Sequence, residues 1–200
     1  MPTNSQCSRF PLILASASER RRKILESLGV SFEVVIPDVE ELTFLDDARR
    51  TASENAIRKS RWSRGRCADR ITIAADTVID FKGRVVCKPV DMDEAFRILR
   101  QFSGTQHTVI TAVAWSMPDL PTDLVVCESQ VVFKVLADEQ ILEYCRRVNP
   151  LDKAGAYDID QHGEMIIESF SGSITNIMGL PGEVVEQWLK KSGVFSVTHA

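Results

Sequence analysis

The sequence predicts one α/β unit, because short apolar runs of strand type alternate with segments of helical period, and because no internal repeat, low-complexity tract or linker divides its 200 residues. A chain of this length can bury one large core or two small ones. Its apolar and charged fractions are balanced as in ordinary globular proteins, which excludes disorder as the default.

The elements follow in order. Leu12-Ile13-Leu14-Ala15 is a short apolar strand ending in Ser16-Ala17-Ser18, after which Ile24, Leu25 and Leu28 recur at helical spacing until Gly29. Residues 32–36 are β-rich and stop at Pro37, and the acidic run Asp38-Val39-Glu40-Glu41 follows directly. Helical period returns at residues 52–62, with Lys59 and several arginines on the polar face and Gly65 as a stop. Residues 71–79 form a strongly apolar strand interrupted by Asp76-Thr77, and Asp80-Phe81-Lys82-Gly83 turns the chain back through residues 84–86 to Lys88-Pro89.

Asp91 and Glu94 have the spacing of a capping box, and Ala95, Ile98, Leu99 and Phe102 supply the apolar stripe of the helix behind it. Two longer strands are expected at residues 107–115 and 124–136, the second alternating through Cys127, Ser129, Val131, Phe133 and Val135. Ile141, Leu142, Cys145 and Val148 mark a further helix closed by Asn149-Pro150. A loop with Ala154-Gly155-Ala156-Tyr157, a strand at residues 165–170, a short apolar segment at 174–178 and a last helix carrying Val184, Val185, Trp188 and Leu189 complete the order.

Composition narrows the functional classes. A formal charge of -4 argues against a coat of nucleic-acid polymers, which needs an excess of Lys and Arg. The N-terminal residues lack the apolar run of a secretory signal, and no stretch is long and apolar enough to span a bilayer, so a cytoplasmic protein without membrane contact is expected. The five cysteines are scattered without a C-x-x-C pair and read as reduced, mostly buried thiols. Three histidines, at 107, 162 and 199, offer no zinc spacing, and neither a P-loop nor a dinucleotide fingerprint occurs.

Three constellations carry chemistry. In Ala15-Ser16-Ala17-Ser18-Glu19-Arg20-Arg21 a strand runs through hydroxyl residues into a helix start, where free N–H groups and the helix dipole favour an anion and two guanidinium forks suit phosphate oxygens. The bland alternative is an N-capping Ser18 with solvated arginines. Asp76 is the sharper signal, since a carboxylate inside an apolar strand is costly unless it is paired, metal-bound or placed at an open strand end. Lys88-Pro89 places a fixed cation just past the hairpin that Asp76 precedes, and His107 reads as a hydrogen-bonded structural histidine.

Taken in order, these segments resemble the Maf family of nucleoside-triphosphate pyrophosphatases. The resemblance rests on Leu12-Ile13-Leu14-Ala15-Ser16-Ala17-Ser18 with Arg20-Arg21, on Asp38-Val39-Glu40-Glu41, Ala75-Asp76-Thr77 and Lys88-Pro89, and on Ser103-Gly104 with His107 and Thr111. It continues through Asp152-Lys153-Ala154-Gly155-Ala156-Tyr157 and Gly179-Leu180-Pro181. What it implies is an elongated mixed sheet with flanking helices and two lobes around a central nucleotide cleft (Maf/ITPase-like), in a single domain over residues 1–200 with residues 1–10 frayed, often assembled as a homodimer. It further implies cleavage of a nucleoside triphosphate to the monophosphate and pyrophosphate with a divalent ion, Mg²⁺ or Mn²⁺. Asp76 matches the catalytic carboxylate and a metal ligand, Glu41 the second metal ligand, and Ser16, Arg21, Lys59 and Lys88 the residues around the phosphates.

Base preference also follows from the resemblance. Members acting on dTTP and UTP carry Arg, Thr and Gln where this chain has Arg20, Thr77 and Asp160, whereas members acting on 7-methyl-GTP carry Trp, Gln and Glu. The chain follows the first group at two positions and departs at Asp160, where a carboxylate cannot reproduce an amide that both donates and accepts. Gln161 replaces that amide, or the specificity is broader. The remaining alternatives are a 7-methyl-GTP pyrophosphatase and a non-catalytic nucleotide-binding regulator of cell division; a haloacid-dehalogenase-like phosphatase would need a second Asp where Val78 stands.

Overall fold

The computed structural model describes residues 12–194; the expected fraying at residues 1–10 lies outside them, as do Cys7 and His199. In chain order the elements are β1 (Leu12–Ala15), α1 (Glu19–Ser27), β2 (Phe32–Val35), α2 (Ala48–Arg64), β3 (Ile71–Phe81), β4 (Arg84–Val86), α3 (Met92–Phe102) and β5 (Gln106–Ser116). They continue with β6 (Asp123–Phe133), α4 (Asp138–Arg147), β7 (Ile167–Ser171), α5 (Ile174–Ile177) and α6 (Gly182–Lys191). The strands make one mixed seven-stranded sheet ordered β2-β1-β3-β5-β6-β7, with β4 also on β3. The predicted α/β class and its mixed sheet are therefore the observed ones.

Strand β3 organises the sheet. Strand β5 runs antiparallel along one edge of it, from Thr72 opposite Ser116 to Asp80 opposite Thr108. The other edge is shared, because β1 lies parallel to residues 71–74 and β4 pairs antiparallel with residues 79–81. Residues 75–78 thus have a strand neighbour on one side only, and the gap left on the other side holds Asp76 and Thr77.

Side-chain alternation then sends these two residues to opposite faces of the sheet. On the Asp76 face, Ala48, Ala52 and Ala56 of α2 pack on Val78, Ile110, Ala112 and Ala114, small residues that let the helix approach closely. On the Thr77 face are two apolar clusters. One joins α1 and α6 to β1 through Leu14, Leu25, Trp115 and Leu189; the other joins α3 and α4 to β5 and β6 through Phe102, Phe133, Tyr144 and Tyr157. Thr77 and Thr111, opposite each other in the register, separate the two clusters, which are the cores of the two lobes.

Several boundaries differ from the sequence expectation for identifiable reasons. Helix α2 starts at Ala48 rather than near residue 52, since the Asp47 carboxylate accepts from the Arg50 N–H at 2.9 Å and caps an extra turn. Strand β6 ends at Phe133: a register shift after Val132 breaks the alternation, leaving Val135 exposed and Leu136 buried. The box at Asp91 closes one residue early, because the Glu94 carboxylate accepts from the Val90 N–H at 2.7 Å. Among the described cysteines none is fully buried, and Cys87 is exposed, against the expectation of mostly buried thiols.

Gly155 locks the α3 lobe to β3. Its φ is +70°, and a Cβ there would lie 2.2 Å from the Ile79 Cδ1, so both conformation and space require glycine.

His107 is structural, as expected. Its ring stacks on Phe102 with centroids 4.3 Å apart, its Nε2 is 2.9 Å from the Tyr157 hydroxyl, and its Nδ1 is buried without a partner. Burial pushes its pKa down to about 4. The unfolded chain therefore binds a proton below pH ~6.5 that the folded chain refuses, so this contribution to stability is complete above pH ~6.5 and is lost as pH falls, at up to about 1.4 kcal/mol per unit. Urea unfolding at pH 6.5 and 4.5 should show a smaller acid loss for His107→Gln than for the wild type, and equal losses would remove His107 from the acid response.

Candidate active site

The carboxylate that interrupts β3 is buried, with Asp76 6% exposed, and it is paired. Its Oδ1 accepts from the Lys59 Nζ at 2.6 Å and its Oδ2 from the Asn55 Nδ2 at 3.2 Å. Lys59 and Asn55 are four residues apart on α2 and so share one helix face, which the small alanines hold against the sheet. The same Lys59 Nζ lies 2.6 Å from the Glu41 Oε1, so one buried ammonium bridges two carboxylates. Burial alone would push the Glu41 carboxyl up, but Lys59, Lys88 and Arg21 together outweigh it and hold the group below the ordinary value.

On the opposite face, Arg21 ties three distant segments together. Its Nε donates to the Gly179 carbonyl at 2.7 Å, its Nη1 to the Ser16 Oγ at 3.3 Å and its Nη2 to the Thr77 Oγ1 at 3.0 Å. The Thr77 hydroxyl is also 3.0 Å from that of Thr111. Burial lowers the Arg21 pKa, against the attraction of Asp76, yet a guanidinium remains charged. Ser18 caps α1 by accepting from the Arg21 N–H, and Ser16 accepts from the Ser18 N–H at 3.1 Å, so the turn into the helix is fixed by its own hydroxyls.

Arg20 points along the cleft to a residue that sequence reasoning passed over. Its Nη1 is 3.2 Å from the Asp158 Oδ2, and that carboxylate also accepts from the Gln161 Nε2 at 3.2 Å and from the Asp160 N–H at 3.0 Å. Asp158 is buried and its backbone is gripped on both sides by the Tyr144 hydroxyl, which accepts from its N–H and donates to its carbonyl. Asp160 and Gln161 are exposed on the same wall. Gln161 is thus already engaged with Asp158.

The residues that the resemblance assigned to the site line two hollows that share Arg20, Arg21, Glu41, Lys59 and Lys88. A cleft of about 350 Å³ is lined by Arg20, Arg21, Glu41, Lys59, Asp76, Thr77 and Lys88. It continues into a second hollow that adds Ser16, Asp158 and Asp160. Asn55 and Asp158 escaped notice because an Asn inside a helix and an Asp after Tyr157 have no signature of their own; only the spacing of Asn55 four residues before Lys59 could have marked it.

The donor set decides what metal chemistry fits. Among the described residues no cluster of three or more His, Cys, Asp or Glu could hold an ion unaided. Two carboxylates converging on one cation do fit a hard divalent ion that takes its remaining ligands from phosphate oxygens and water, the usual habit of Mg²⁺. The surrounding arginines and lysines suit the phosphates themselves.

Comparison with known proteins identifies the fold and the family of the chain. A chain from Staphylococcus aureus described as the Ham1 protein shares the fold, with a TM-score of 0.54 at 15% identity over 91% of this chain and 99% of that one. Closer in sequence are proteins named dTTP/UTP pyrophosphatase: one from Thermotoga maritima is 36% identical over 93% of this chain and 91% of its own length. Another, from Geobacter sulfurreducens, is 40% identical over 88% of this chain and 93% of its own. The sequence profile of the family described as Maf-like protein matches residues 11–192, which takes in every element lining the cleft, and the chain belongs to that family.

Proposed function

We propose that this chain hydrolyses dTTP and UTP to their monophosphates and pyrophosphate. One observation carries the reading: Asp76 is buried at a lateral gap in the sheet, shares Lys59 with Glu41, and faces a cleft ringed by Arg20, Arg21 and Lys88. Binding alone needs the cations; it has little use for two carboxylates held together beside them. The names of the relatives support the same substrate class.

Each group has a definable part. A carboxylate has about four acceptor sites, and Lys59 and Asn55 occupy two of those on Asp76, so it retains capacity to take the proton of an attacking water. Lys59 pairs with that carboxylate and restrains it. Arg21 and Lys88, with the first-turn N–H groups of α1 beside Ser16, oppose the charge that grows on the departing pyrophosphate as the α–β anhydride bond breaks. Mg²⁺ or Mn²⁺ held by Glu41 and Asp76 would neutralise phosphate charge as a Lewis acid. Thr77 of the first hollow, Asp160 of the second and Arg20, which lines both, are the residues assigned to the base in this reading.

Wild type should release pyrophosphate from dTTP and UTP only with a divalent ion, lose that activity with a chelator and regain it with added Mg²⁺. Asp76→Asn should lower kcat on the order of 10³-fold while leaving triphosphate binding measurable by calorimetry. An active Asp76→Asn enzyme would sink the assignment, and tight binding without turnover by the wild type across a metal series would leave a regulator instead. For Asp160→Gln, kcat/KM for dTTP relative to GTP should rise by about tenfold, one hydrogen bond's worth of discrimination. An unchanged profile takes Asp160 out of base selection.

A further inference from the structure

We propose that Thr51 and Asn55 are positioning residues, forming with Lys59 a polar rail along α2 that sets the Glu41 loop in register with Asp76; the catalytic part of this rests on the pyrophosphatase reading. The three positions are spaced i, i+4 and i+8, so they stack on one helix face at steps of about 6 Å. All three are buried, at 2%, 3% and 8% exposure.

Residues 36–44 have neither helix nor strand to satisfy their backbone, and the rail does so instead. The Thr51 Oγ1 accepts from the Phe44 N–H at 2.9 Å and donates to the Asp47 carbonyl at 2.9 Å. One turn on, the Asn55 Oδ1 accepts from the Leu42 N–H at 2.8 Å while its Nδ2 donates to the Leu42 carbonyl at 2.9 Å. A further turn on, Lys59 meets Glu41. The loop therefore runs antiparallel to the helix and is fastened at 44, 42 and 41 in turn.

Helix stability does not explain these residues, since Thr and Asn are poorer formers than the alanines beside them and compete with the helical backbone for bonds. Their tertiary role does. The Asn55 amide grips the loop backbone and the Asp76 Oδ2 with the same nitrogen, so from the wall of the cleft it fixes the distance between the two carboxylate-bearing segments. Lys59 could follow a displaced Glu41, because its stem is flexible. Asn55, with two bonds to one backbone unit, cannot.

The test compares wild type, Asn55→Ala, Thr51→Val and Thr51→Ser by steady-state kinetics with dTTP at saturating Mg²⁺ and by amide hydrogen exchange without metal or nucleotide. Asn55→Ala should lower kcat on the order of 100-fold with KM within about threefold, as expected for misplaced groups in an intact pocket. Exchange at Leu42 and Phe44 should speed by at least about tenfold while the amides of α2 and β3 stay protected. Thr51→Val should free Phe44 with a smaller kcat loss, and Thr51→Ser, which keeps the hydroxyl, should restore both. Unchanged exchange at Leu42 in Asn55→Ala, or a freed loop with wild-type kcat, overturns the proposal. Should Asn55→Ala not fold, the Thr51 pair decides it. A wild type without pyrophosphate release refutes the functional reading separately, since loop exchange is measured with no substrate present.

Discussion

The structure depends on one break in one strand edge. Strand β3 is paired by β5 from Thr72 to Asp80, but its other edge passes from β1 to β4 with residues 75–78 uncovered. An ionised carboxylate in a fully paired, fully packed strand would cost several kcal/mol. At the break it can be buried and yet reach a cleft, provided a cation stands beside it. Lys59 is that cation, and it reaches Asp76 because α2 lies close over alanines on the same face. Sheet topology, helix packing and the charge pair are consequently one solution to one problem, in the way that ligand sites of α/β sheets gather where strand connections diverge.

Period-two alternation at that break separates two tasks by geometry alone. Asp76 faces α2 and a polar rail; Thr77 faces α1, where Arg21 and Thr111 hold it. Neighbouring residues in sequence are therefore tuned by different helices, and a change in α1 can alter what surrounds Thr77 without moving the carboxylate.

Much of this was legible in the residues. Elements appeared where hydrophobic period was strong, and Asp76 stood out because an acid in an apolar run violates the local pattern. Two other things were not set locally. The gap in β3 depends on how far the distant strand β1 reaches along it before the adjoining β4 hairpin takes over, a limit that Asp76 hints at but does not locate. Asn55 and Asp158 act through backbone groups of Leu42 and through Arg20, partners that only folding brings near. Where expectation erred, at Val135 and the start of α2, a bulge and a capping Asp47 changed the outcome by a few residues. The residues that line the cleft were readable from type and order, while the contacts that aim them were not.

The three bonds of Arg21 have a consequence in time. They join a residue of the first helix to the hydroxyl of Thr77 and to the carbonyl of Gly179, which the ribosome supplies far later. A nascent chain can complete β1, α1 and β3 and still lack the acceptor that draws the guanidinium into place. Until the Gly179 turn docks, the Arg21 Nε has no carbonyl to meet, so the wall of the cleft beside Thr77 is completed only by the last part of the chain.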